Sequence, residues 1–299
     1  MTIVEEEISS QPRVWLDAAE LAGSVRDLLP AAGERVVFFG CGTSYYIAQA
    51  VAAEREQAGH GESDAFAASE LPFERRYDLA VALSRSGTTT EVLEATRALR
   101  RAGQVLAIAA NGDSPLAEEA DRTVAMPFAD ERAVVQTRFA TATVALFRSA
   151  LGDDIQSLAA DAERALTAPL PVKPTAQLRQ LVFLGHGPSV GLAEEAGLKA
   201  REAAGAWSEA YPAHEYRHGP ISVAGPGTVV WALTQLPPGL AGEIEETGAC
   251  LVEPSSDPLV ELVRVQRFVV HLAIARGMDP DHPRHLNRSV VLDHDGLRP

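Results

Sequence analysis

The chain repeats a strand-and-turn motif at an offset of 145 residues, counted from position 36 to position 181. The first copy is Val36-Val-Phe-Phe-Gly-Cys-Gly-Thr-Ser44, and the second is Leu181-Val-Phe-Leu-Gly-His-Gly-Pro-Ser189. An apolar run that ends in Gly-x-Gly-x-Ser before an alanine-rich stretch predicts a buried parallel strand, a tight turn and a helix N-terminus. Two such units restrict the fold to a duplicated α/β architecture.

Further strand and helix patterns alternate along the chain. Strand candidates are 79–83, 105–109, 123–126 and 228–233, and helical patterns include 91–101 and 139–151. Alternation of this kind is typical of a parallel sheet with helices on both faces. The predicted fold class is therefore α/β, with two tandem doubly wound parallel-sheet domains.

The same patterns suggest four segments. We expect an N-terminal helical segment at 1–30, a first domain at 31–164, a second domain at 175–278 and a C-terminal tail at 279–299 that closes on the functional site. The proline-rich stretch 165–177 is the expected linker. A chain of 299 residues is long enough for two domains of about 150 residues.

Composition excludes several classes of partner. The net charge of −15 disfavours nucleic acid and anionic membranes, which both require a basic surface. No apolar run approaches the roughly 20 residues of a membrane span, and the acidic N-terminus does not resemble a signal peptide. The two cysteines, Cys41 and Cys250, fit a reducing compartment. We therefore expect a cytoplasmic protein.

Glu195, Lys199 and Glu202 form the first candidate site. Steps of four and three residues place them on one face of a helix, and His218-Gly-Pro follows sixteen residues after Glu202. Two carboxylates, an amine and an imidazole can together move a proton between adjacent carbons. By spacing alone, a solvated helix face with two ion pairs is the commoner interpretation. However, Lys199 is one of only two lysines, against 24 arginines.

A hydroxyl-rich loop, Ser84-Arg-Ser-Gly-Thr-Thr-Thr90, follows the strand at 79–83 and precedes a helical pattern. Hydroxyl groups and free N–H groups at a helix N-terminus form an anion site, and ligands of doubly wound sheets bind at this edge. Thr43 and Ser44 end the first strand and can join the site, while Arg85 adds positive charge. The alternative interpretation is a helix with surplus N-capping residues.

The two copies divide these features. The second copy lacks the hydroxyl loop, and the first has Ala50, Glu54 and Gln57 where the second has Glu195, Lys199 and Glu202. We expect no metal site, because prolines interrupt any helix carrying His214 and His218. Cys41 is interpreted as a small packing residue. The role of His186, in the second Gly-x-Gly turn, stays open.

Together these motifs resemble the sugar isomerase (SIS) domain family, and more closely the double-SIS isomerase half of glucosamine-6-phosphate synthase and its stand-alone relatives. The resemblance implies that Ser84, Ser86 and Thr89 hold a sugar phosphate, with Thr43 and Ser44 beside them. It implies that Glu202 shuttles a proton between carbons 1 and 2, and that Lys199 and Glu195 support it. His218 would open the sugar ring from a neighbouring subunit, so a homodimer with a shared site is expected.

The chain departs from the synthase at two positions. Residue 2 is Thr rather than a cysteine nucleophile, so we expect no glutaminase activity. Arg288 stands where the synthase has a Schiff-base lysine, and an arginine there can make only an electrostatic contact with the substrate. The expected function is a cofactor-free phosphosugar isomerase or amino-sugar-phosphate deaminase. A non-catalytic sugar-phosphate sensor, and an isomerase or deglycase of another anionic sugar such as a fructosamine phosphate or a sulfonated sugar, are the alternatives.

Overall fold

The computed structural model, which describes residues 1–292, contains two β-sheets in which every strand pairing is parallel. The first sheet has the order β2-β1-β3-β4-β5 and the second the order β7-β6-β8-β9. The strands are β1 Val36–Gly40, β2 Ser63–Ala67, β3 Leu79–Leu83, β4 Gln104–Ala109, β5 Arg122–Ala125, β6 Gln180–Gly185, β7 Ser208–Pro212, β8 Thr228–Ala232 and β9 Cys250–Val252. The predicted α/β class with parallel sheets is confirmed.

Helices connect the strands and cover both sheets. They are α1 Ile3–Ser9, α2 Gln11–Ser24, α3 Thr43–Gln57, α4 Thr90–Arg100, α5 Pro115–Glu119, α6 Arg138–Leu151, α7 Ile155–Thr167, α8 Ser189–Ala204, α9 Leu240–Glu246 and α10 Pro258–Ala275. Because α7 continues to Thr167, the irregular connection begins three residues later than the expected linker. Within residues 1–292, no helix has the length and apolar character needed to cross a membrane.

The two copies of the repeated motif fold alike. The second glycine of each Gly-x-Gly turn is left-handed, with φ of +54° at Gly42 and +55° at Gly187. A residue with a side chain is strained in that region, which explains the glycine in both turns. In the sheets, Val36 lies opposite Leu79 and Leu181 lies opposite Val229, so the central strand pairs also correspond.

Both sheets contribute to one continuous hydrophobic core. Phe38 of β1, Phe183 of β6 and Trp231 of β8 are fully buried in it, together with alanines of α3 and α8. The side-chain amide of Gln57, at the end of α3, lies near Gly187, just before α8, and Thr43 at the start of α3 contacts Lys199 late in α8. Helices α3 and α8 therefore run in opposite directions and join the two sheets.

Gly191→Ala is expected to destabilise the protein by about 1–3 kcal/mol, the usual cost of overpacking a close contact. A Cβ at position 191 would lie 2.5 Å from the carbonyl oxygen of Tyr46 and 2.7 Å from the backbone nitrogen of Ala50. Backbone atoms cannot rotate away, so α3 and α8 would have to separate. Urea denaturation measures the loss, and Gly23→Ala, where nothing lies within 4 Å, is the control. Equal stability of the two variants would contradict this account of the contact.

Candidate active site

Glu195, Lys199 and Glu202 lie on one face of α8, as their spacing predicts. The ammonium nitrogen Nζ of Lys199 is 2.5 Å from Oε2 of Glu202 and 3.4 Å from Oε1 of Glu195. The side chains of Glu195 and Lys199 are buried, whereas that of Glu202 is 20% exposed. These ion pairs are not a solvated helix face, and Glu202 is the member that a bound molecule can reach.

Thr43 ties this array to the first sheet. Its hydroxyl group accepts a hydrogen bond of 2.9 Å from Lys199 Nζ and lies 3.3 Å from Glu195 Oε1, to which it donates. Thr43 is the first residue of α3, directly after the Gly-x-Gly turn, and Ser44 beside it is also buried. The motif of the first copy thus meets the acid–base residues of the second copy.

Burial sets the protonation of this cluster. It raises the pKa of Glu195 to about 7, with a further contribution from the Glu202 carboxylate, and Lys199 and Thr43 only partly offset the shift. Glu195 Oε2 has no hydrogen-bond partner among the described residues. Burial alone would lower the pKa of Lys199, but the two carboxylates outweigh it and raise that pKa. Lys199 is therefore held as a cation.

The raised pKa of Glu195 predicts that stability falls as pH rises. The folded state binds the proton more tightly than the unfolded chain, so this contribution is complete below pH 4.5 and is lost as pH approaches 7. The expected loss is on the order of 1–3 kcal/mol. Urea denaturation of the original protein and of Glu195→Gln at pH 5 and pH 8 measures it. The variant should show a dependence that is shallower by this amount, and an unchanged slope would contradict the assignment.

The hydroxyl loop follows β3 at the same sheet edge as Thr43. A Cβ at Gly40 would lie 2.9 Å from the carbonyl oxygen of Leu83, so the ends of β1 and β3 are adjacent. Ser84 Oγ accepts a hydrogen bond from Gly87 N, and Ser86 Oγ accepts one from Thr88 N, both at 3.2 Å. The hydroxyl groups therefore shape the loop as well as line it.

Thr89 is the N-cap residue of α4, but its side chain makes no capping hydrogen bond. Surplus N-capping therefore does not explain this threonine. Its hydroxyl group, which was expected to hold a phosphate, is not used to close the helix end. That expectation stays a prediction, as it does for Ser84 and Ser86.

Arg85 differs from the expected anion contact. Its side chain is fully buried and donates to the carbonyl oxygens of Ala133, at 2.9 Å, and Arg288, at 2.8 Å. Glu131 Oε2 lies 3.7 Å from the guanidinium group. Arg85 therefore connects two segments that are distant in sequence. Its donors bind oxygen atoms of the protein rather than an anion, because a buried guanidinium group requires such partners.

The C-terminal tail lies across the hydroxyl loop. Ser289 Oγ is 3.1 Å from Ser86 Oγ and 2.8 Å from Thr88 Oγ1, and Thr90 N donates to Val290 O at 3.2 Å. Thr88 belongs to the predicted hydroxyl loop and Ser289 to the tail expected to close on the site, but the sequence did not indicate that these two side chains contact each other. Residues 293–299 of the expected tail segment lie outside the described residues.

Arg288 and His218 are not joined to the acid–base array within one chain. Arg288 was expected at the substrate, but its side chain pairs with Asp130 at 2.5 Å. His218 is exposed at the end of the short 3₁₀ turn Ala213–Arg217, and its ring makes no hydrogen bond with any residue of 1–292. The expectation that His218 serves a neighbouring subunit stays a prediction.

Cys41, in the first Gly-x-Gly turn, is not activated. Burial raises the pKa of its thiol to about 11, and the nearby Glu91 adds to the shift. A thiol of this kind is protonated at neutral pH and is a poor nucleophile. The interpretation of Cys41 as a packing residue is in keeping with this environment.

These features define a class of protein: a parallel-sheet α/β protein with hydroxyl-rich and acid–base groups at the carboxyl ends of its strands. Residues 29–151 match the family model of the SIS domain. The chain is 28% identical to glutamine–fructose-6-phosphate aminotransferase (isomerizing) from Zymomonas mobilis, covering 87% of this chain and 52% of that protein. It spans about half the length of the aminotransferases it matches.

Two solved structures are also similar. Glucosamine-6-phosphate deaminase from Thermotoga maritima is 28% identical, with a TM-score of 0.81 over 97% of this chain and 100% of that chain. Tagatose-6-phosphate ketose/aldose isomerase from Escherichia coli shares the fold, with a TM-score of 0.80 and 19% identity over 95% and 97% of the two chains. The chain therefore carries a SIS domain and is homologous to the isomerase half of the aminotransferase.

Proposed function

We propose that the protein is a phosphosugar isomerase or an amino-sugar-phosphate deaminase that moves a proton between carbons 1 and 2 of a hexose 6-phosphate. The observation that carries this proposal is the Thr43–Lys199–Glu202 chain of hydrogen bonds, which links the phosphate-type sheet edge to a reachable carboxylate. The similar aminotransferase, deaminase and ketose/aldose isomerase support the same chemistry.

The proposal assigns the phosphate to the hydroxyl loop. Ser84, Ser86 and Thr89, with Thr43 and Ser44 beside them, would hold its oxygen atoms, and a helix N-terminus favours negative charge there. A phosphate would take over the bonds that Ser289 makes with the loop, so the tail would shift or share the site. This remote anchor would fix the reacting carbons beside Glu202.

The proton shuttle would run through Glu202. Once the sugar ring is open, Glu202 takes the proton from carbon 2, an enediol or enolamine forms, and the same proton returns to carbon 1. An amine at carbon 2 then becomes an imine, which water hydrolyses to a ketose and ammonia. Lys199, held as a cation, would orient Glu202, with Glu195 behind it. His218 of a second subunit would open the ring, and Arg288 would contribute charge at the rim.

The remaining assignments belong to this proposal. We treat the two sheets as tandem doubly wound SIS domains at 31–164 and 175–278, the first for phosphate and the second for acid–base chemistry. We also propose a homodimer with shared sites, since His218 is exposed and its ring makes no hydrogen bond within residues 1–292. A reducing cytoplasm is proposed because Cys41 and Cys250 are both unpaired.

Proton NMR in heavy water tests the proposal with glucosamine 6-phosphate, glucose 6-phosphate and fructose 6-phosphate. Release of ammonia together with fructose 6-phosphate would identify a deaminase, and aldose–ketose interconversion without ammonia an isomerase. If none of the three sugar phosphates is converted and none exchanges a carbon-bound proton at carbon 1 or carbon 2, the proposed reaction is wrong. A melting temperature raised by one of these phosphates would then favour the sensor, and a negative result would redirect the search to fructosamine phosphates and sulfonated sugars.

A further inference from the structure

A cavity of about 480 Å³ lies at the end of the α3–α8 pair opposite the acid–base array. The end of α3 contributes Glu54 and Gln57, and the second Gly-x-Gly turn contributes His186. Arg148 in the last turn of α6 and Asp153 just after that helix also line the cavity. The remaining polar residues are Thr234, two positions after β8, and Asp257, the N-cap of α10. The cavity is large enough for a monosaccharide and is not part of the site described above.

The repeat makes this cavity the counterpart of the candidate active site. At the offset of 145, Lys199 corresponds to Glu54, and Glu202 corresponds to Gln57. The strand register extends the match: β3 begins at Leu79 and its counterpart is Val229, an offset of 150, so Ser84 corresponds to Thr234. Each site thus joins a Gly-x-Gly turn and a strand end of one copy to the long helix of the other.

The charge of the lining side chains differs between the cavity and the candidate active site. Where the first site has a buried lysine, the cavity has the carboxyl group of Glu54, and the loop after Thr234 has prolines instead of hydroxyl groups. Arg148 is the cavity's arginine, and carboxylates already hold it: Asp257 accepts two hydrogen bonds from it at 2.8 and 3.0 Å, and Asp153 accepts one at 2.6 Å. A phosphate would meet Glu54, Asp153 and Asp257 with no free guanidinium group, so the cavity disfavours anions.

Glu54 is the under-satisfied member of this group. Its Oε1 lies 3.8 Å from Arg148 Nε, beyond hydrogen-bond distance, and its Oε2 is buried with no hydrogen-bond partner among the described residues. A buried carboxyl oxygen without a partner costs free energy that an incoming donor can recover. The cavity has three carboxyl groups and one arginine among its lining residues. If all four are ionised, the net charge of −2 favours a donor that carries positive charge.

We propose that this cavity is a second ligand site, which binds a small hydroxylated amine without phosphate, such as an amino sugar, through the carboxyl group of Glu54. The hydroxyl group of Thr234 and the side-chain amide of Gln57 supply the neutral polar contacts. The site lies at the carboxyl ends of parallel strands, where doubly wound sheets bind ligands. Burial raises the pKa of Glu54 to about 8 despite the neighbouring Arg148, so without a bound amine this group is protonated at neutral pH and gives up its proton when it pairs with an ammonium group.

Isothermal titration calorimetry of the full chain with glucosamine tests this proposal, with glucose and inorganic phosphate as comparison ligands. A ligand of this size is expected to bind with a Kd on the order of 1 mM. Glucosamine should bind roughly tenfold more tightly than glucose, because only the amine can pair with a carboxylate. Equal affinity for glucose, displacement by phosphate, or no binding of glucosamine would overturn the proposal.

Variants locate the binding. Glu54→Gln should weaken glucosamine binding roughly tenfold, and Ala58→Phe, at an exposed position on the cavity wall, should block it. Glu163→Gln, an exposed carboxylate on α7, is the charge-matched control, and Ser86→Ala reports on the hydroxyl loop. Both controls should bind as the unmodified protein does. Binding that survives Ala58→Phe, or is lost in Ser86→Ala, places glucosamine elsewhere and overturns the proposal.

Discussion

Glu202→Gln is expected to lower kcat at least about a hundredfold while substrate binding is retained, because a general base contributes at least that factor. Gln has the same shape and keeps an oxygen atom that can accept the hydrogen bond now made by Lys199 Nζ at 2.5 Å. It cannot accept the carbon-2 proton. The loss corresponds to about 2.7 kcal/mol of transition-state stabilisation.

The comparison for this variant is Glu194→Gln, eight residues earlier on the same helix. Glu194 is half-buried and its pKa is raised by burial, yet it does not contact Lys199. It should retain kcat within about twofold, as expected of a carboxyl group outside the reaction. Loss of activity in both variants would indicate a general effect of α8 charge, and a Glu202→Gln enzyme with more than a tenth of the original kcat would contradict the assignment of the base.

The substrate affinity of Glu202→Gln gives a second readout. If Glu202 acts only on the reacting carbons, the dissociation constant of the sugar phosphate should stay nearly unchanged, because in our proposal the hydroxyl loop makes the main contacts. Conversely, Ser86→Ala should raise KM more than it lowers kcat. If Glu202→Gln instead weakens substrate binding and Ser86→Ala mainly lowers kcat, the proposed division between anchoring and acid–base residues is wrong.

Local sequence patterns predicted much of this fold because strands and helices depend on neighbouring residues. The repeated Gly-x-Gly turns at Gly42 and Gly187 indicated parallel strands followed by helices, and the structure has both. The prediction for β8 was one residue too long, since Leu233 already leaves the strand. The face shared by Glu195, Lys199 and Glu202 follows from helix periodicity alone.

Contacts between distant segments were beyond that reasoning. Nothing near Arg85 indicates that its guanidinium group will be buried against the carbonyl oxygens of Ala133 and Arg288, the latter 203 positions away. The tail at 279–299 was expected to close on the site, but its particular contact between Ser289 and Ser86 could not be predicted either. His218 was assigned through a family resemblance, and its exposed position in one chain does not test that assignment.

The second cavity could not be predicted from local sequence either, although the residues on both of its sides had been noted. The alignment of the repeats identified Glu54 and Gln57 as replacements for Lys199 and Glu202, and His186 was left without a role. Only the antiparallel packing of α3 on α8 shows that these residues line a separate cavity. The active-site array lies at one end of this helix pair, and the cavity lies at the other end.

Lys199→Met is expected to lower the free energy of unfolding by about 3–5 kcal/mol near pH 8, the cost of removing one partner from a buried ion pair. Glu195 would keep a fully buried carboxyl group without its cation, and Thr43 would lose its donor. The pKa of Glu195, already about 7, would rise further, because Lys199 now lowers it. Since Glu195 is protonated in both folded proteins below about pH 7, the penalty should be smallest there and should grow as pH rises from about 7 towards the new pKa.

The double variant Lys199→Met with Glu195→Gln separates charge from packing. Removing both charges takes away the uncompensated carboxylate, so the double variant should be more stable than Lys199→Met alone by on the order of 2 kcal/mol at pH 8. Urea denaturation at pH 5 and pH 8 measures all four members of the cycle. Additive losses at both pH values would mean that Lys199 contributes by packing alone, and the buried Glu195–Lys199 pair would then have no role in fixing the charge beside Glu202.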